Sequence, residues 1–436
     1  MLIYLCAEFI IKANRLISYI RDWGGEEMKV RLVRQRRAWT IVLAVALAVV
    51  LLFTACAPGP PAEEENVVKI GMIAPLTGAP ASVIHIAWRN ILDYLSYFEE
   101  VGVPGLELPP GVTIELVWGD SGFEVPRAIS IYERMREQNV VLVYAPSPVE
   151  GAGLRSRTDR DGMINFVMSI DEGMMYPPSS VFTVYPTDSE GFAVACDWIM
   201  ENWQEEQPPR VAIMGTDSPS GHAPEVMGTA YARSIGIEML PFETVPYMPL
   251  DVTPQLLRLS ESGADFVFLQ VIWATARAVM RDAERLGLTD KIRFGGYENS
   301  QSVQVLELGP AVEGYWSPRR APWYKETPIL FDILREVDGK LDTGGDGATT
   351  LVFVPVWIEA IRVAIEEVGY ENLDCRAVTE AMYSIKDFDP HGIGKKVSYT
   401  PEDHRGSPSI RIYEMRGGDV VPVTDWRQAP MLVPEG

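Results

Sequence analysis

The chain has 436 residues, enough for two domains with buried cores, and 47% of them are apolar, which argues against a disordered chain. It carries 60 acidic and 38 basic side chains, a formal net charge of −22. Because nucleic acid binding needs clustered Lys and Arg, this balance excludes nucleic acid as an expected partner and indicates a solvated acidic surface.

The first predicted element is an export signal. Four arginines between positions 31 and 37 precede the uncharged run "AWTIVLAVALAVVLLFTA" at 38–55, which is the order of a basic n-region and an apolar h-region. An uncleaved membrane anchor is the alternative, because the run is about long enough to cross a bilayer. Met28 is a suitable start for this signal. Residues 1–55 are therefore interpreted as a signal peptide with an N-terminal extension.

A lipid attachment site is expected where the apolar run ends. The stretch "FTACAPG" at 53–59 resembles a bacterial lipoprotein signal, in which small residues precede a cysteine that is lipidated and becomes the first residue of the mature chain. We therefore expect Cys56 to carry lipid. Residues 56–66 are rich in proline and then acidic, a composition that suits a flexible tether between the anchor and a folded body beginning near Val67.

Cysteine and histidine usage gives no sign of a metal or redox centre. Beyond Cys56, the mature part has only Cys196 and Cys375, and no CxxC pair occurs. Two buried thiols and a single disulfide both remain open. The four histidines are scattered without metal-ligand spacing. No cofactor or metal is therefore expected.

From Val67 onward, apolar strand-like runs alternate with segments of helical periodicity, which predicts parallel sheets covered on both faces. The pattern restarts after about residue 187, so two α/β halves follow one another. The tail from about Ser317 contains helices first and strands last, as if it completed both halves. The predicted strands are 67–73, 112–118, 140–145, 163–168, 210–215, 237–245, 264–270, 291–297, 395–400, 409–415 and 419–424.

Three short motifs hint at enzymes but do not fit them. "WGDSGF", with Ser121, echoes the nucleophile stretch of trypsin-like proteases, which need an all-β fold with His and Asp partners. "DTG" at Asp342 occurs once, in a glycine-rich acidic loop. "EGAGLRS" has Ser156 where a dinucleotide fingerprint needs its third Gly. A secreted hydrolase using Ser121 or Asp342 is the enzymatic alternative, and the interpretation that we adopt is a protein that is not an enzyme.

The stretch "KIGMIAPLTGAP" at 69–80 lacks the Lys and the Gly spacing of a phosphate-binding loop. With "VVLVYAPSP", "YPTDSEGFAVACDWI", "RVAIMGTDSPSG", "FGGYE" and "IRIYEMRGGDVVPV", which follow in this order, it resembles the branched-chain amino acid-binding proteins of ABC transporters. These are type I periplasmic solute-binding proteins. The resemblance runs from about Lys69 to the C-terminus.

The resemblance implies two lobes joined by three crossings, each lobe a mostly parallel sheet flanked by helices. The crossings are expected near Tyr185, Ser317 and Lys395. Ligands are then expected at the carboxyl ends of the strands, between the lobes. The implied boundaries are 67–187 with 318–394 for the first lobe and 188–317 with 395–436 for the second.

Site residues in the first lobe follow from matching this family's ligand loops. The loop after the third strand presents hydroxyls and amides to a ligand carboxylate, and here it contains Tyr144 and Ser147, with Pro148 in place of the usual Ser or Thr. The next loop contributes Ser169. Asp171 lies where a hydroxyl is common and would repel a carboxylate ligand.

In the second lobe the same matching gives Ser220, Trp273 and Glu298 as ligand contacts. Ser220 replaces the family's Tyr, and Trp273 is either an aromatic wall or part of the core. Glu298 matches the acidic residue that receives a ligand's ammonium, the alternative being a solvated turn glutamate. With Asp171 opposite, Glu298 would favour an amine, amide or polyamine-like ligand.

Together these observations predict an extracytoplasmic, lipid-anchored, monomeric solute-binding component of an ABC uptake transporter. It would close two lobes on a small amino acid-like, amide or amine ligand and deliver it to permease subunits in the membrane. The alternative is a ligand-sensing receptor domain of the same fold that does not take part in transport, because one fold serves both functions.

Overall fold

The computed structural model describes residues 66–78, 81–168, 170–336 and 346–434. The predicted signal peptide, Cys56 and nearly all of the tether lie outside these residues. The first part of the described chain alternates strands and helices as expected. Its elements are β1 (Asn66–Ala74), α1 (Ala81–Glu100), β2 (Val112–Asp120), α2 (Val125–Glu137), β3 (Leu142–Tyr144), α3 (Pro148–Asp161), β4 (Asn165–Phe166), α4 (Glu172–Met175) and β5 (Val181–Phe182).

The second part repeats the alternation with shorter, more interrupted elements. Two 3₁₀ turns, Glu298–Ser300 and Gly309–Val312, lie near the C-terminal end of this part. Its elements are α5 (Asp188–Asn202), β6 (Arg210–Gly215), α6 (Pro219–His222), α7 (Met227–Ser234), β7 (Glu238–Met239), β8 (Glu243–Thr244), α8 (Thr253–Glu261), β9 (Phe266–Gln270), α9 (Trp273–Arg285), β10 (Arg293–Gly296), α10 (Val303–Leu306) and β11 (Trp316–Arg319).

The tail supplies helices first and strands last. The elements of this part are α11 (Pro328–Glu336), α12 (Asp346–Leu351), α13 (Phe353–Val368), α14 (Cys375–Met382), β12 (Ser409–Arg416), β13 (Asp419–Pro422) and β14 (Arg427–Gln428).

Two sheets organise these elements into two lobes. The first sheet is entirely parallel, in the order β2-β1-β3-β4-β5, and Met72 pairs with both Trp118 and Tyr144. The second has the order β13-β12-β11-β10-β9-β6-β7, with β8 beside β6 and β14 beside β12. Its strands run parallel except β12, which is antiparallel to β11, β13 and β14.

The central strands of each sheet are buried on both faces, as expected for parallel strands that are covered by helices on both sides. In β1, Ile70 and Met72 belong to one core of the first lobe and Ile73 to the other. Helix α13 from the tail covers the first of these faces, where Trp357 is fully buried. The tail therefore completes the first lobe with helices, while β12 and β13 extend the second sheet.

The chain crosses between the lobes three times. The first crossing follows β5 and ends at Thr187, which caps α5 by accepting from the Glu190 amide. The second follows β11, which remains in the second sheet to Arg319. The third lies later than the Lys395 boundary expected from the sequence, because Tyr399 is still in the core of the first lobe.

The two cysteines are free thiols in separate lobes. Cys196 is fully buried in the second lobe, and Cys375 packs beside the first-lobe core that contains Leu154. The structure therefore has free thiols and not the disulfide, and of the two thiols expected to be buried only Cys196 is, because Cys375 is partly exposed.

Candidate functional site

A cleft lies where the carboxyl ends of the parallel strands of the two sheets face each other, the position where open α/β sheets bind ligands. It contains about 680 Å³ of space not filled by protein atoms, part of it open to solvent. Its walls come from the loops after β3 and β4 of the first lobe and after β6, β9 and β10 of the second. Among the described residues, no charged side chain lines it.

The first-lobe wall combines one hydroxyl with an apolar surface. Ser147 connects β3 to α3 and is only 5% exposed, and Pro148 occupies the first position of the helix, where the missing amide is tolerated. The positive end of the α3 dipole therefore lies at this wall. Ile84, Phe123 and Met168 provide the apolar surface beside it.

Hydroxyl groups dominate the second-lobe loop that follows β6. Thr216 and Ser218 hydrogen-bond through their hydroxyls at 2.9 Å, and the Tyr247 hydroxyl lies 3.4 Å from Ser218 Oγ. Ser220 lines the same part of the cleft. The loop returns tightly on itself at Gly221, where an added Cβ would lie 2.0 Å from the Thr216 carbonyl oxygen. Glycine is required at that position by this contact.

Two buried amide side chains complete the second wall. Gln270 ends β9, is 2% exposed and donates from Nε2 to Asp188 Oδ2 at 3.2 Å. Asn299 follows β10 and is also buried. In the described part of the chain, Gln270 Oε1 and Asn299 Oδ1 have no hydrogen-bond partner. The wall therefore offers buried acceptors to a ligand that carries N–H or O–H groups.

Glu298 does not line the cleft, contrary to the sequence-based expectation. It is 1% exposed, and its carboxylate accepts from Arg320 Nη2 at 2.7 Å, from Arg320 Nε at 2.9 Å and from the Arg320 amide at 2.9 Å. Arg320 also donates to Asp188 Oδ1 at 3.2 Å. Glu298 is therefore neither a solvated turn residue nor an open ammonium acceptor, but one partner in a buried ion pair.

Tyr144 lies in the core of the first lobe, Trp273 is partly buried against the core of the second, and neither lines the cleft. The Tyr144 ring is fully buried against Phe353 and Trp357, at centroid distances of 5.0 and 5.1 Å, and burial raises the pKa of its hydroxyl. Trp273 begins α9 and packs against the core of the second lobe. Its side chain thus follows the core alternative left open by the sequence.

Ser147 and Ser220 are the two predicted site residues that the structure brings together in one cleft. Ser169 lies outside the described residues. Asp171 caps α4 by accepting from the Met174 amide at 2.8 Å. That role explains its place in the sequence without a ligand.

The candidate nucleophiles of the enzymatic alternative are Ser121 and Asp342. Asp342 lies outside the described residues. Ser121 is fully buried and donates its hydroxyl hydrogen to Glu150, which is buried as well. Burial raises the pKa of Glu150, and the hydrogen bond from Ser121 opposes that rise. This arrangement shields the Ser121 hydroxyl from solvent and from the cleft.

Several cleft residues were missed at the sequence level, among them Phe123, Met168, Tyr247, Gln270 and Asn299. A positional signal was available for most of them. Gln270 is the last residue of β9, and Met168 and Asn299 come two or three residues after β4 and β10. Residues at the carboxyl ends of parallel strands could have been selected on that ground alone.

A family model described as periplasmic binding protein matches residues 67–419. The chain belongs to the periplasmic binding protein family. Its two-lobed α/β architecture is the type I fold predicted from the sequence. Membership gives the protein a solute-binding role outside the cytoplasm, and substrate-binding proteins, not enzymes, are what the family comprises.

Solved structures agree on the fold. A branched-chain amino acid ABC transporter protein from Thermus thermophilus with bound valine has a TM-score of 0.75 and 22% identity, covering 83% of this chain and 96% of that one. A fatty acid ABC transporter substrate-binding protein from Thermomonospora curvata has a TM-score of 0.71 and 18% identity, covering 84% and 95%.

A third structure is a solute-binding protein of an ABC transporter from Rhodopseudomonas palustris BisB5 in complex with 3,4-dihydroxybenzoic acid. It has a TM-score of 0.68 and 17% identity, covering 84% of this chain and 99% of that one. A comparison with curated protein sequences gives no match. In the described part of the binding protein, no helix has the length and apolar character needed to span a bilayer, and no cluster of His, Cys, Asp or Glu is arranged to hold a metal ion.

Proposed function

We propose that this protein is the lipid-anchored solute-binding component of an ABC uptake system and that it binds a small ligand in the cleft between its lobes. The observation that carries the proposal is a cleft lined from both lobes, with Ser147 on one wall and Gln270 on the other. A ligand that contacts both walls stabilises the closed arrangement of the lobes, because it binds that arrangement more tightly than the open one.

The ligand is proposed from the amino acid-like, amide and amine classes that the sequence suggests. Support comes from the mixed chemistry of the cleft, where Ser147 and the hydroxyls near Ser218 can donate and the amide oxygens of Gln270 and Asn299 can accept. Ile84 and Phe123 provide contacts for an apolar body. The solved relatives named as ABC transporter proteins support the transport role.

A thermal-shift screen followed by calorimetry tests the proposal. A ligand at about 100 times its dissociation constant is expected to stabilise the protein by about 2.7 kcal/mol. Ser147→Ala and Gln270→Ala are each expected to weaken binding several-fold, because a lost hydrogen bond costs about 0.5–1.5 kcal/mol. Ser130→Ala, an exposed serine on α2, is the matched control. Unchanged affinity in both cleft variants would contradict the assignment of the cleft.

The anchor and the partner are tested separately. After membrane fractionation, the Cys56→Ser variant is expected in the soluble fraction. The wild-type protein, with lipid on Cys56, is expected to stay with the membranes through a salt wash. Permease subunits are the proposed partner of a monomeric binding protein. Ligand uptake by cells that lack this protein separates transport from the alternative sensing role, because a sensor would leave uptake unchanged.

A further inference from the structure

Arg320 is a buried cation at the second crossing, with its hydrogen-bonding groups fully engaged. In addition to Glu298 and Asp188, it donates from Nη1 to the Pro186 carbonyl oxygen at 3.2 Å and from Nη2 to the Tyr297 hydroxyl at 2.6 Å. Its guanidinium carbon lies 4.9 and 5.0 Å from the ring centroids of Tyr185 and Tyr297. Charge pairing, hydrogen bonds and two aromatic faces thus fix it in place.

This network lies directly behind the second wall of the cleft. Tyr297 and Gln270 line the cleft on one side and contact the network on the other, since the Tyr297 hydroxyl accepts from Arg320 and Gln270 donates to Asp188. The two carboxylates in contact with this network, Glu298 and Asp188, are therefore already paired with an internal cation. A ligand ammonium would have to compete with Arg320 for them.

The first wall offers no substitute for these carboxylates. Glu150 lies behind Ser147, but it is fully buried and accepts from the Ser121 hydroxyl. Burial also raises its pKa, which favours the uncharged carboxyl. Among the described residues lining the cleft, none carries a formal charge. An ammonium group would lose its water there without gaining a counter-charge, which is unfavourable.

We infer that the cleft selects an amphipathic carboxylate or carboxamide without a cationic group and that Arg320 sets this selectivity by occupying Glu298 and Asp188. The inference rests on the proposed function and revises its ligand class, because it keeps amides, excludes amines and α-amino acids, and adds carboxylates that lack an ammonium group. A carboxamide or carboxylate head suits the first wall, where Ser147 and the N-terminal end of α3 favour acceptors and negative charge. The oxygens of Gln270 and Asn299 suit N–H or O–H groups on the ligand.

Matched probes test the selectivity on the intact mature protein by calorimetry. One series contains leucine, 4-methylvalerate, 4-methylvaleramide and 3-methylbutylamine, and a second contains phenylalanine, 3-phenylpropionate, 3-phenylpropionamide and phenethylamine. In at least one series, the acid or the amide is expected to bind at least about tenfold more tightly than both the amino acid and the amine. A difference of this size is expected when a ligand ammonium group is left without a charge-assisted hydrogen bond. Equal or tighter binding of the amino acid or the amine would overturn the inference while leaving the proposed function intact. Absence of binding throughout both series would overturn the proposed function and the inference with it.

A substitution tests the role of Arg320. Arg320→Met keeps an unbranched side chain between the two tyrosines but frees Glu298 and Asp188, so it is expected to shift the preference at least about tenfold toward the ammonium-bearing probes. Arg320→Lys retains the charge and is expected to keep the wild-type preference. The matched control is Arg293→Met, which removes an exposed arginine that packs on Trp198 and Phe266. A folded Arg320→Met protein with unchanged selectivity would overturn the role assigned to Arg320. Should this variant fail to fold, loss of the wild-type preference in Arg320→Lys, despite its cation, would count against that role.

Discussion

Glu172 shows how a single buried carboxyl can link stability to pH. It is 3% exposed, and its two oxygens face the hydroxyls of Thr187 and Ser189 at the first crossing. Burial raises its pKa from 4.5 to about 7, against the effect of the hydrogen bonds that it accepts. Ser189 also donates to the Ala223 carbonyl oxygen at 2.9 Å. A hydroxyl has one hydrogen, so Ser189 cannot donate to Glu172 and to Ala223 at the same time. If Glu172 is protonated and donates to Ser189, each group in this series of hydrogen bonds has a partner.

The sign of the effect follows from the direction of the pKa shift. Well below pH 4.5 the carboxyl is protonated in both the folded and the unfolded chain, so its titration does not make the free energy of unfolding depend on pH. Between pH 4.5 and about 7 the unfolded chain releases the proton first, and the free energy of unfolding falls as the pH rises. Above pH 7 the loss is on the order of 3 kcal/mol.

Glu172→Gln is expected to remove this loss, because the amide can donate to Ser189 and accept from Thr187 as the protonated acid does. At pH 8 the variant should be more stable than the wild type by on the order of 3 kcal/mol, and at pH 4 the two should be nearly equal. Urea unfolding at both pH values measures the difference. Glu115→Gln, at an exposed position on β2, is the control. A variant that is less stable at pH 8 would show that the ionised carboxylate is the stabilising form.

At the residue scale, the sequence located the cleft better than it identified the contacts. Ser147 and Ser220 follow strands and could be found from that position. Glu298 also follows a strand, but its partner Arg320 lies 22 positions further along the chain, and only the return of β11 beside β10 brings them together. The pairing of two buried side chains distant in sequence cannot be read from a local pattern.

Three glycines within helices illustrate the element scale. In α3, a Cβ added at Gly151 would lie 2.6 Å from a Val167 methyl carbon, and one added at Gly153 would lie 2.5 Å from a methyl carbon of Val125. These glycines allow α3 to approach its neighbours closely. In α5, a Cβ at Gly191 would meet only Ile410, at 3.9 Å. Gly191 therefore has space for a methyl group, whereas Gly151 and Gly153 do not.

Gly191→Ala is expected to stabilise the protein by about 0.5–1 kcal/mol, because alanine restricts the unfolded chain and suits a helix interior. Gly153→Ala provides the opposing case and is expected to destabilise it by about 1–3 kcal/mol through the clash with the stiff Val125 side chain. Chemical denaturation of both variants gives the two values. Destabilisation by Gly191→Ala would mean that the small space lined by Gly191, Phe268 and Tyr297 cannot accept a methyl group.

Strands predicted from a continuous run of apolar residues are confirmed, and those interrupted by a backbone feature such as a proline are shorter or absent. The strand predicted at 210–215 is β6 as observed. The strand predicted at 237–245 is broken into β7 and β8, because Pro241 between them lacks an amide for the ladder. At 395–400 the alternation of Val397 and Tyr399 reflects burial against the first lobe, and the described chain forms only isolated bridges there.

At the scale of the whole molecule, the alternation of strands and helices was sufficient to predict two α/β halves, and the family match confirms the fold class. The exact path of the third crossing was not predictable from that alternation. It depends on His404 stacking on Phe182 at 3.9 Å and on the Thr183 amide donating to the His404 carbonyl oxygen at 3.0 Å. These contacts hold the chain on the first lobe beyond Lys395.

Buried ion pairs link the three crossings to one another. Arg320 of the second crossing contacts Pro186 and Asp188 at the first, and Arg405 of the third donates from Nη1 to Glu190 of α5 at 2.5 Å. Because breaking a buried pair leaves an unpaired charge, these links resist separation of the three segments. The lobes are therefore expected to move as rigid bodies about the crossings, with little change within them.

Ligand binding is expected to close the lobes and make the molecule more compact. The cleft receives Ser147 and Phe123 from one lobe and Ser218, Gln270 and Asn299 from the other, so a ligand held by both walls has more contacts when they are close together. Small-angle X-ray scattering at saturating ligand should give a smaller radius of gyration than the free protein. The Gln270→Ala variant, at a ligand concentration that leaves it mostly unoccupied, should scatter like the free protein. Identical radii for the free and the saturated wild type would mean that the ligand enters a cleft already closed, and the hinge mechanism would then have to be abandoned.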